Sequence, residues 1–396
     1  MSKPRVVHII TRLEPGGSSR NTVDSCAAQA GSYEVTLIAG PHPESAALRN
    51  LLPPEVAYIE VQELQREIST PRDFRALMEL KALLVRLQPD IVHTHTSKAG
   101  ALGRLAAALA NLKAVKPAVV VHTPHGHLLY GYYGFAKTFV FKLAERFLAN
   151  FTDHFIALTP GEKRETAAAG IGRPSQWTVV HSGVDFSCVQ APGRETLGLG
   201  GDEIVIGTVA RLEPVKGVEY FIKAAARLRE TSPALNFRFM VIGGGQLESG
   251  LRALAGKLGA TEKILFTGFR ADAAALMGVL DVYVQPSLNE AMGRAPLEAQ
   301  ALGIPAVVTS VCGLPDVVRD GETGLIVPPA DAGALADAIE KLAADGGLRL
   351  RLGKAAKDWA LSRNAEGLPR FGAAAMTAAL DKFYNAILKV NGAGEN

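Results

Sequence analysis

The chain has 396 residues, 48% hydrophobic and 20% charged. This excludes a disordered polypeptide and, at roughly 150 residues per domain, predicts two or three globular domains. No run approaches the ~20 uncharged apolar residues that crossing a bilayer requires. The N-terminal residues 1–10 pass straight into a buried-strand pattern without signal-peptide character, so a cytoplasmic protein is expected. Three cysteines (Cys26, Cys188, Cys312), odd in number and far apart, exclude a disulfide framework and a CxxC metal site and read as isolated buried thiols.

The net charge of +3 is unevenly spread. Residues 1–190 carry 20 Lys+Arg against 16 Asp+Glu and all nine histidines; the remainder carries 22 against 23. That excess is too mild for a nucleic-acid footprint. It suits an anionic membrane surface or a phosphorylated substrate, and equally a simple surplus of surface charge.

Strands and helices alternate. Strands are expected at Arg5–Thr11, Glu34–Ala39, Ile91–His95, Ala118–His122, Phe155–Leu158 and Val179–His181, with the first helix starting at about Arg20. The series restarts at Ile204–Ala210 and runs through Phe237–Ile242, Lys263–Phe266, Val282–Gln285, Ala306–Thr309 and Leu325–Val327. Continuous Val/Ile runs between amphipathic helices predict parallel sheets covered on both faces, and two series predict two doubly wound domains. The seam is expected at Gly183–Gly198, where Gly, Pro and polar residues replace the strand pattern.

Ligands of such sheets bind beyond the carboxyl ends of the strands. Pro15-Gly16-Gly17-Ser18 follows the first strand and precedes a helix, a place that suits an anion or a plain turn. Two nucleotide fingerprints are excluded: Gly243–Glu248 lacks the third glycine of GxGxxG, and Gly250…Gly256-Lys257 has the wrong length for a P-loop. The strongest local signal is Gln285–Ala299. A strand ends at Gln285, a loop carries Glu290, and Pro296 suits the first turn of a helix that carries Glu298. The amides of Met292, Gly293 and Arg294 would point toward a bound diphosphate. Helix capping could account for Glu298 but not for Glu290.

Glu290 and Glu298, seven residues between them, resemble the EX7E motif of glycosyltransferase family 4, whose members are retaining enzymes of GT-B fold. Thr208–Gly217 is similar to the family's G-R-L-x-x-x-K-G segment, with Ala210 in place of its first glycine. Phe266–Arg270, Gly303–Ala306, Gly313–Asp316 and Gly321–Leu325 follow in the family's order, and the match spans roughly residues 5–345. The resemblance implies two Rossmann-like domains facing each other across a cleft. Residues 1–185 would form the acceptor-side domain and 186–369 the nucleotide-sugar domain. A helix at about 370–396 would return to the first, with Met376, Leu380, Phe383, Tyr384 and Ile387 at helical spacing.

It also implies roles. Arg211 and Lys216 would hold the donor diphosphate and offset its growing charge. Glu298 would bind the ribose, Glu290 the donor sugar, and the backbone at Phe269–Arg270 the base. Gly16 and Gly17 would face the diphosphate or the acceptor. His125 matches the family's active-site histidine near the sugar, with His95 and Lys98 as candidates for acceptor contact and His122 as packing.

Five histidines in Val92–Lys98 and His122–His127 could suggest zinc. Neither segment holds an Asp, Glu or Cys, and the chain has no Asp-x-Asp pair, so no metal or other cofactor is expected. Without an obvious carboxylate nucleophile, front-face attack is expected, the leaving phosphate taking the acceptor's proton; this replaces the paired-carboxylate chemistry of retaining glycosidases. Residues 130–155 hold nine of the 25 aromatic residues, interleaved with Lys137, Lys142 and Arg146. They read either as core packing with solvated cations or as a helix at a membrane interface. Similar segments occur in family members that extend lipid-linked glycans at the cytoplasmic face of bacterial membranes. The expected activity is transfer of a sugar, UDP-sugars being favoured, to a hydroxyl of a glycan or lipid-linked acceptor in polysaccharide or lipopolysaccharide synthesis. A non-transferring enzyme such as a nucleotide-sugar epimerase is the alternative, and a non-catalytic sugar-nucleotide-binding subunit is disfavoured by the four charged residues.

Overall fold

Seven segments of the first half form one sheet: β1 (Arg5–Arg12), β2 (Glu34–Gly40), β3 (Ala57–Glu60), β4 (Ile91–His95), β5 (Val119–Thr123), β6 (His154–Ala157) and β7 (Trp177–Val179). The computed structural model describes residues 3–187 and 191–392, so Cys188 lies outside the described residues. The second sheet contains β8 (Ile204–Val209), β9 (Phe237–Ile242), β10 (Ile264–Gly268), β11 (Val282–Gln285), β12 (Ala306–Thr309) and β13 (Gly324–Val327). Every pairing in both sheets is parallel. The orders are β3-β2-β1-β4-β5-β6-β7 and β10-β9-β8-β11-β12-β13. Each reverses direction once, between β1 and β4 and between β8 and β11, and those switch points are where a doubly wound sheet opens a crevice.

The chain divides into two compact units. One contains residues up to 129, 134–183 and 372 onward; the other contains 130–133 and 184–371. In the first, strand alternation sorts the core. Val6, Ile10 and Ile91 face a layer that includes Val23 and Cys26 of the helix Gly17–Gln29 and Met376, Leu380 and Tyr384 of the helix Ala373–Gly392. Val7, Ile9 and Val92 face the helices that carry Leu80 and Ala106. In the second unit, Ile206, Phe239, Val282 and Val307 pack against Phe221, Ile222 and Leu335.

Three expectations need correction. The first helix begins at Gly17 rather than near Arg20. The last strand of the first sheet is Trp177–Val179, two residues early. Edge strand β3 was not anticipated: it has four residues, none fully buried, and follows Pro53-Pro54. Cys26 and Cys312 are both buried, and neither is in a disulfide.

Residues 130–155 are not one element. Tyr130–Tyr133 belong to the second unit, Phe135–Leu148 is a helix, and Phe155 is buried in β6. On that helix Phe135, Phe139, Val140, Leu143 and Phe147 are exposed, so core packing does not account for them. The buried Arg104 guanidinium ties this helix down, 2.8 Å from the Glu145 carboxylate. Among the described residues no helix is long and apolar enough to cross a membrane.

Candidate functional site

In the first unit the β1 end leads through Glu14 and Pro15 to Gly16, the N-cap of the helix Gly17–Gln29. Gly17 is exposed and Gly16 half-buried. Strand alternation puts His8 of β1, His93 and His95 of β4 and Thr123 of β5 on one face of the sheet, His8 beside His93 and His95 beside Thr123 in register. All three rings are buried. His8 Nε2 is 2.8 Å from Gln29 Oε1, His8 Nδ1 is 2.9 Å from His95 Nε2, and His95 Nδ1 is 2.9 Å from His125 Nε2. His93 bridges the Tyr384 hydroxyl (2.6 Å) and Thr123 Oγ1 (2.8 Å). His122 points to the opposite face, where its Nδ1 meets Thr94 Oγ1 at 2.9 Å.

Burial is the main force on these rings, since it disfavours the imidazolium. It lowers His8 to about 4 and His125 to about 3, and takes His93, His95 and His122 well below the ordinary histidine value. His8, His93 and His95 are close enough to share a metal ion. However, both nitrogens of each ring already have hydrogen-bond partners within the protein.

Two residues after β5, His125 has φ +58°, and Thr96 after β4 has φ +63°. Left-handed backbone at a β-branched residue stores strain that the surroundings must hold. Part of the restraint is Glu162. Thr159-Pro-Gly-Glu162 is a capping-box sequence, and Thr159 Oγ1 does accept the Glu162 N–H. The buried Glu162 carboxylate instead accepts from Gly126 N and Leu158 N, both at 2.7 Å, which fixes the loop that follows His125. Burial raises its pKa, and these two amides act against that rise. Lys98, expected near an acceptor, is bonded to Asp73 Oδ1 (2.6 Å) and Glu67 O (2.7 Å). His95 has no free ring nitrogen.

In the second unit the strand ends carry the expected residues Phe269 and Arg270 after β10, Arg211 and Lys216 after β8, and Glu290 after β11, with Gly243–Gly245 following β9 between the first two loops. A Cβ on Gly243 would lie 2.0 Å from Ala210 O, and one on Gly217 2.1 Å from Pro286 O, so glycine is what lets these loops close on one another. Lys216 Nζ is 2.5 Å from Glu290 Oε2, and Arg211 Nη1 is 3.3 Å from Glu213 Oε1. Glu290 is backed by a buried relay: the Tyr283 hydroxyl donates to Gln285 Oε1 (2.5 Å), Gln285 Nε2 to Ser287 Oγ (2.7 Å), and Ser287 Oγ lies 3.4 Å from Glu290 Oε2. Burial raises the Tyr283 phenol well above its ordinary value, helped by Glu290 and Glu298.

Gly293, with φ +76°, is the N-cap of the helix Arg294–Ala301, Met292 is buried beside it, and Glu298 lies past the first turn, where capping does not explain it. Arg270 is exposed and paired with Asp272, and Phe269 is exposed beside Gly244. Tyr130 also belongs here, its carbonyl accepting from Asn289 Nδ2 (3.0 Å) and its hydroxyl from Cys312 N (3.1 Å).

Sequence reasoning did not anticipate Gln29, His8, Glu162 or the Tyr283–Ser287 relay. His8 and Glu162 had signals, strand alternation and the capping box; Gln29 had none.

Residues 15–187 match the family described as Glycosyltransferase Family 4, and residues 190–359 match Glycosyl transferases group 1. A UDP-Gal:alpha-D-GlcNAc-diphosphoundecaprenol alpha-1,3-galactosyltransferase of Escherichia coli is 32% identical over 76% of this chain and 79% of its own. The putative glycosyltransferase EpsD of Bacillus subtilis is 29% identical over 83% of this chain and 84% of its own. Among solved structures, Anabaena HepE in complex with UDP and glucose superposes with a TM-score of 0.78, 20% identity, and coverage of 96% of this chain and 99% of that one. At that identity the likeness concerns the fold, which is GT-B.

Proposed function

Because this chain belongs to the family 4 glycosyltransferases, we propose that it moves a sugar, with retention, from a UDP-sugar to a hydroxyl of a lipid-linked glycan in bacterial surface-polysaccharide synthesis. The observation that carries this reading is the set of charged residues at the β8/β11 switch point. There Lys216 pairs with Glu290, four residues before the helix Arg294–Ala301, and Arg211 lies on the same loop after β8 as Lys216. Two cations and a helix N-terminus suit a diphosphate, and they favour the transition state as charge builds on the leaving group. Glu290, held by Ser287 and Lys216, is positioned to accept from sugar hydroxyls, and Glu298 from those of the ribose. The acceptor attacks on the face that the diphosphate leaves.

The base and the acceptor rest on relatives: the Escherichia coli enzyme is named for UDP-Gal and a diphosphoundecaprenol acceptor, and HepE was solved with UDP. The exposed aromatic and basic face of the helix Phe135–Leu148 supports contact with an anionic membrane at its cytoplasmic side. With Arg211 and Lys216 supplying the charge, no metal is required.

Incubating the protein with a panel of nucleotide sugars and bacterial lipid extracts, with and without EDTA, should yield an acceptor-dependent α-linked product in both conditions. Sugar conversion without acceptor-dependent nucleotide release would point to an epimerase instead. Loss of activity in EDTA that one divalent ion restores would return the histidine cluster to consideration as a metal site.

A further inference from the structure

The chain leaves the first unit after residue 129, contributes residues 130–133 to the second, and returns at 134. Inside the second unit these four residues are fastened to the loops around Glu290. The Tyr130 carbonyl accepts from Asn289 Nδ2 at 3.0 Å, and its hydroxyl accepts from Cys312 N at 3.1 Å. Asn289 precedes Glu290 in sequence, and Gly313, which follows Cys312, donates its N–H to Glu290 O at 3.0 Å. Gly131 closes the approach. It has φ +82°, and a Cβ there would come 3.0 Å from Leu288 O and 3.1 Å from Asn289 Cβ, so glycine lets the chain pass this close. Tyr132 is the next residue. Its hydroxyl makes no hydrogen bond among the described residues. The residue is 37% exposed, yet burial is the largest influence raising its phenol, followed by Glu290 and Glu213, while Arg211 acts the other way. A tyrosine that solvent reaches and that still feels burial most strongly lines a recess, and the charges acting on it are those of the donor loops.

We propose that Tyr132 is a donor-binding residue of the second unit, its phenol O–H donating to the sugar hydroxyl whose proton Glu290 accepts. The assignment rests on the glycosyl-transfer reading for its ligand, and on Tyr130 and Gly131 for its placement. A carboxylate can only accept, so a hydroxyl bound to Glu290 keeps lone pairs that call for a donor, and a neutral phenol supplies one. Lys216 and Ser287 cannot serve both ends of that arrangement, because they already lie against Glu290 Oε2. The choice of a hydroxyl over a diphosphate oxygen follows from charge. Each of the two acids acts on the phenol more strongly than Arg211 does, which keeps the phenol protonated and disfavours a further anion beside it. A sugar hydroxyl is neutral and meets no such repulsion. Tyr130 and Gly131 are positioning residues, since they act on the ligand only by setting where Tyr132 begins.

Tyr132→Phe removes the hydroxyl and keeps the ring. Calorimetric titration of the full chain with UDP, UDP-glucose, UDP-galactose and UDP-N-acetylglucosamine reads the effect. The variant should keep the native melting temperature and the native Kd for UDP. For the nucleotide sugar that the native protein binds, Kd should rise about three- to tenfold, the loss of one neutral hydrogen bond. An equal rise for UDP would put the hydroxyl on the diphosphate, and an unchanged Kd for the nucleotide sugar would take Tyr132 out of the site; either result overturns the assignment. So does a lower melting temperature, which would show that the hydroxyl is spent within the protein. Failure of the transfer reading looks different. A native protein that binds none of the three nucleotide sugars overturns that reading and the assignment with it, whereas binding that Tyr132→Phe leaves untouched overturns the assignment alone.

Discussion

Lys216 Nζ lies 2.5 Å from Glu290 Oε2 across 74 residues of sequence, joining the loop after β8 to the loop after β11. The cation assigned to the diphosphate is therefore also the partner of the acid assigned to the sugar. Both are partly exposed, with side chains 20% and 18% accessible, so the pair adds little to stability and much to placement. Lys216→Ala and Arg211→Ala should each lower kcat by ~10²- to 10³-fold with little change in melting temperature. Glu298→Ala should raise KM for the donor more than it lowers kcat, because ribose contacts hold ground and transition states alike. Steady-state kinetics on the three variants checks this; near-normal turnover in both cation variants would remove the clamp.

Glu162 should behave as a positioning residue for the His125 loop. Replacing it with Ala leaves the Gly126 and Leu158 amides, each now 2.7 Å from the carboxylate, without an acceptor. The cost should be about 1–3 kcal/mol for each buried amide. Glu162→Gln keeps one amide oxygen and should lose about half as much. Urea unfolding with parallel kinetics tests the pairing: kcat should fall in the same order as stability, Ala below Gln. A Glu162→Ala protein with native kcat would show that the His125 loop holds itself.

The strands bearing the site were legible because buried parallel strands are continuous Val/Ile runs, and Ile91–His95, Phe237–Ile242, Val282–Gln285 and Ala306–Thr309 have the expected bounds. Edge strand β3 was not, since an edge strand of four residues buries no continuous apolar run. Glu290, Glu298, Arg211 and Lys216 were singled out by resemblance to the family's EX7E and G-R-L-x-x-x-K-G segments. The supports behind them were hidden for a different reason. Gln29 is the last residue of its helix, and nothing local says that it faces His8 on a neighbouring strand. Lys98 shows the reverse: a lysine after a strand end looks available until Asp73, on another helix, turns out to hold it.

The buried histidines make stability depend on pH in a definite direction. His8 at about 4 and His125 at about 3 lie below the ordinary value of 6.5. Between those values the unfolded chain binds more protons than the folded one, so stability rises with pH. It is complete above about pH 6.5 and falls as pH drops toward 4; His8 alone accounts for about 3 kcal/mol across that window. Denaturant midpoints measured from pH 7.5 to 4.5 should decline, and the decline should be shallower in His8→Gln. A flat profile would mean that the rings reach water.

The helix Ala373–Gly392 should be indispensable to the first unit. Met376, Leu380, Phe383, Tyr384 and Ile387 are buried in the same layer as Val6, Ile10 and Ile91. Burying such side chains is worth about 1.5–3 kcal/mol each, so together they approach the whole stability of a typical domain. The contacts are specific as well. Tyr384 is edge-on to Tyr33 and bonded to His93, and Met376 Sδ accepts from Asn21 Nδ2. Deleting residues 370–396 should leave the first unit unable to fold cooperatively, and transfer activity should disappear. Tyr384→Phe, which keeps the ring but strands His93 Nδ1 without its hydroxyl partner, should cost about 1–3 kcal/mol and leave KM for the donor unchanged. Calorimetry on the truncated chain and on Tyr384→Phe decides the matter. If truncation leaves the transition and the activity as they were, the helix is an appendage, and the Tyr384–His93 bond has no bearing on the core.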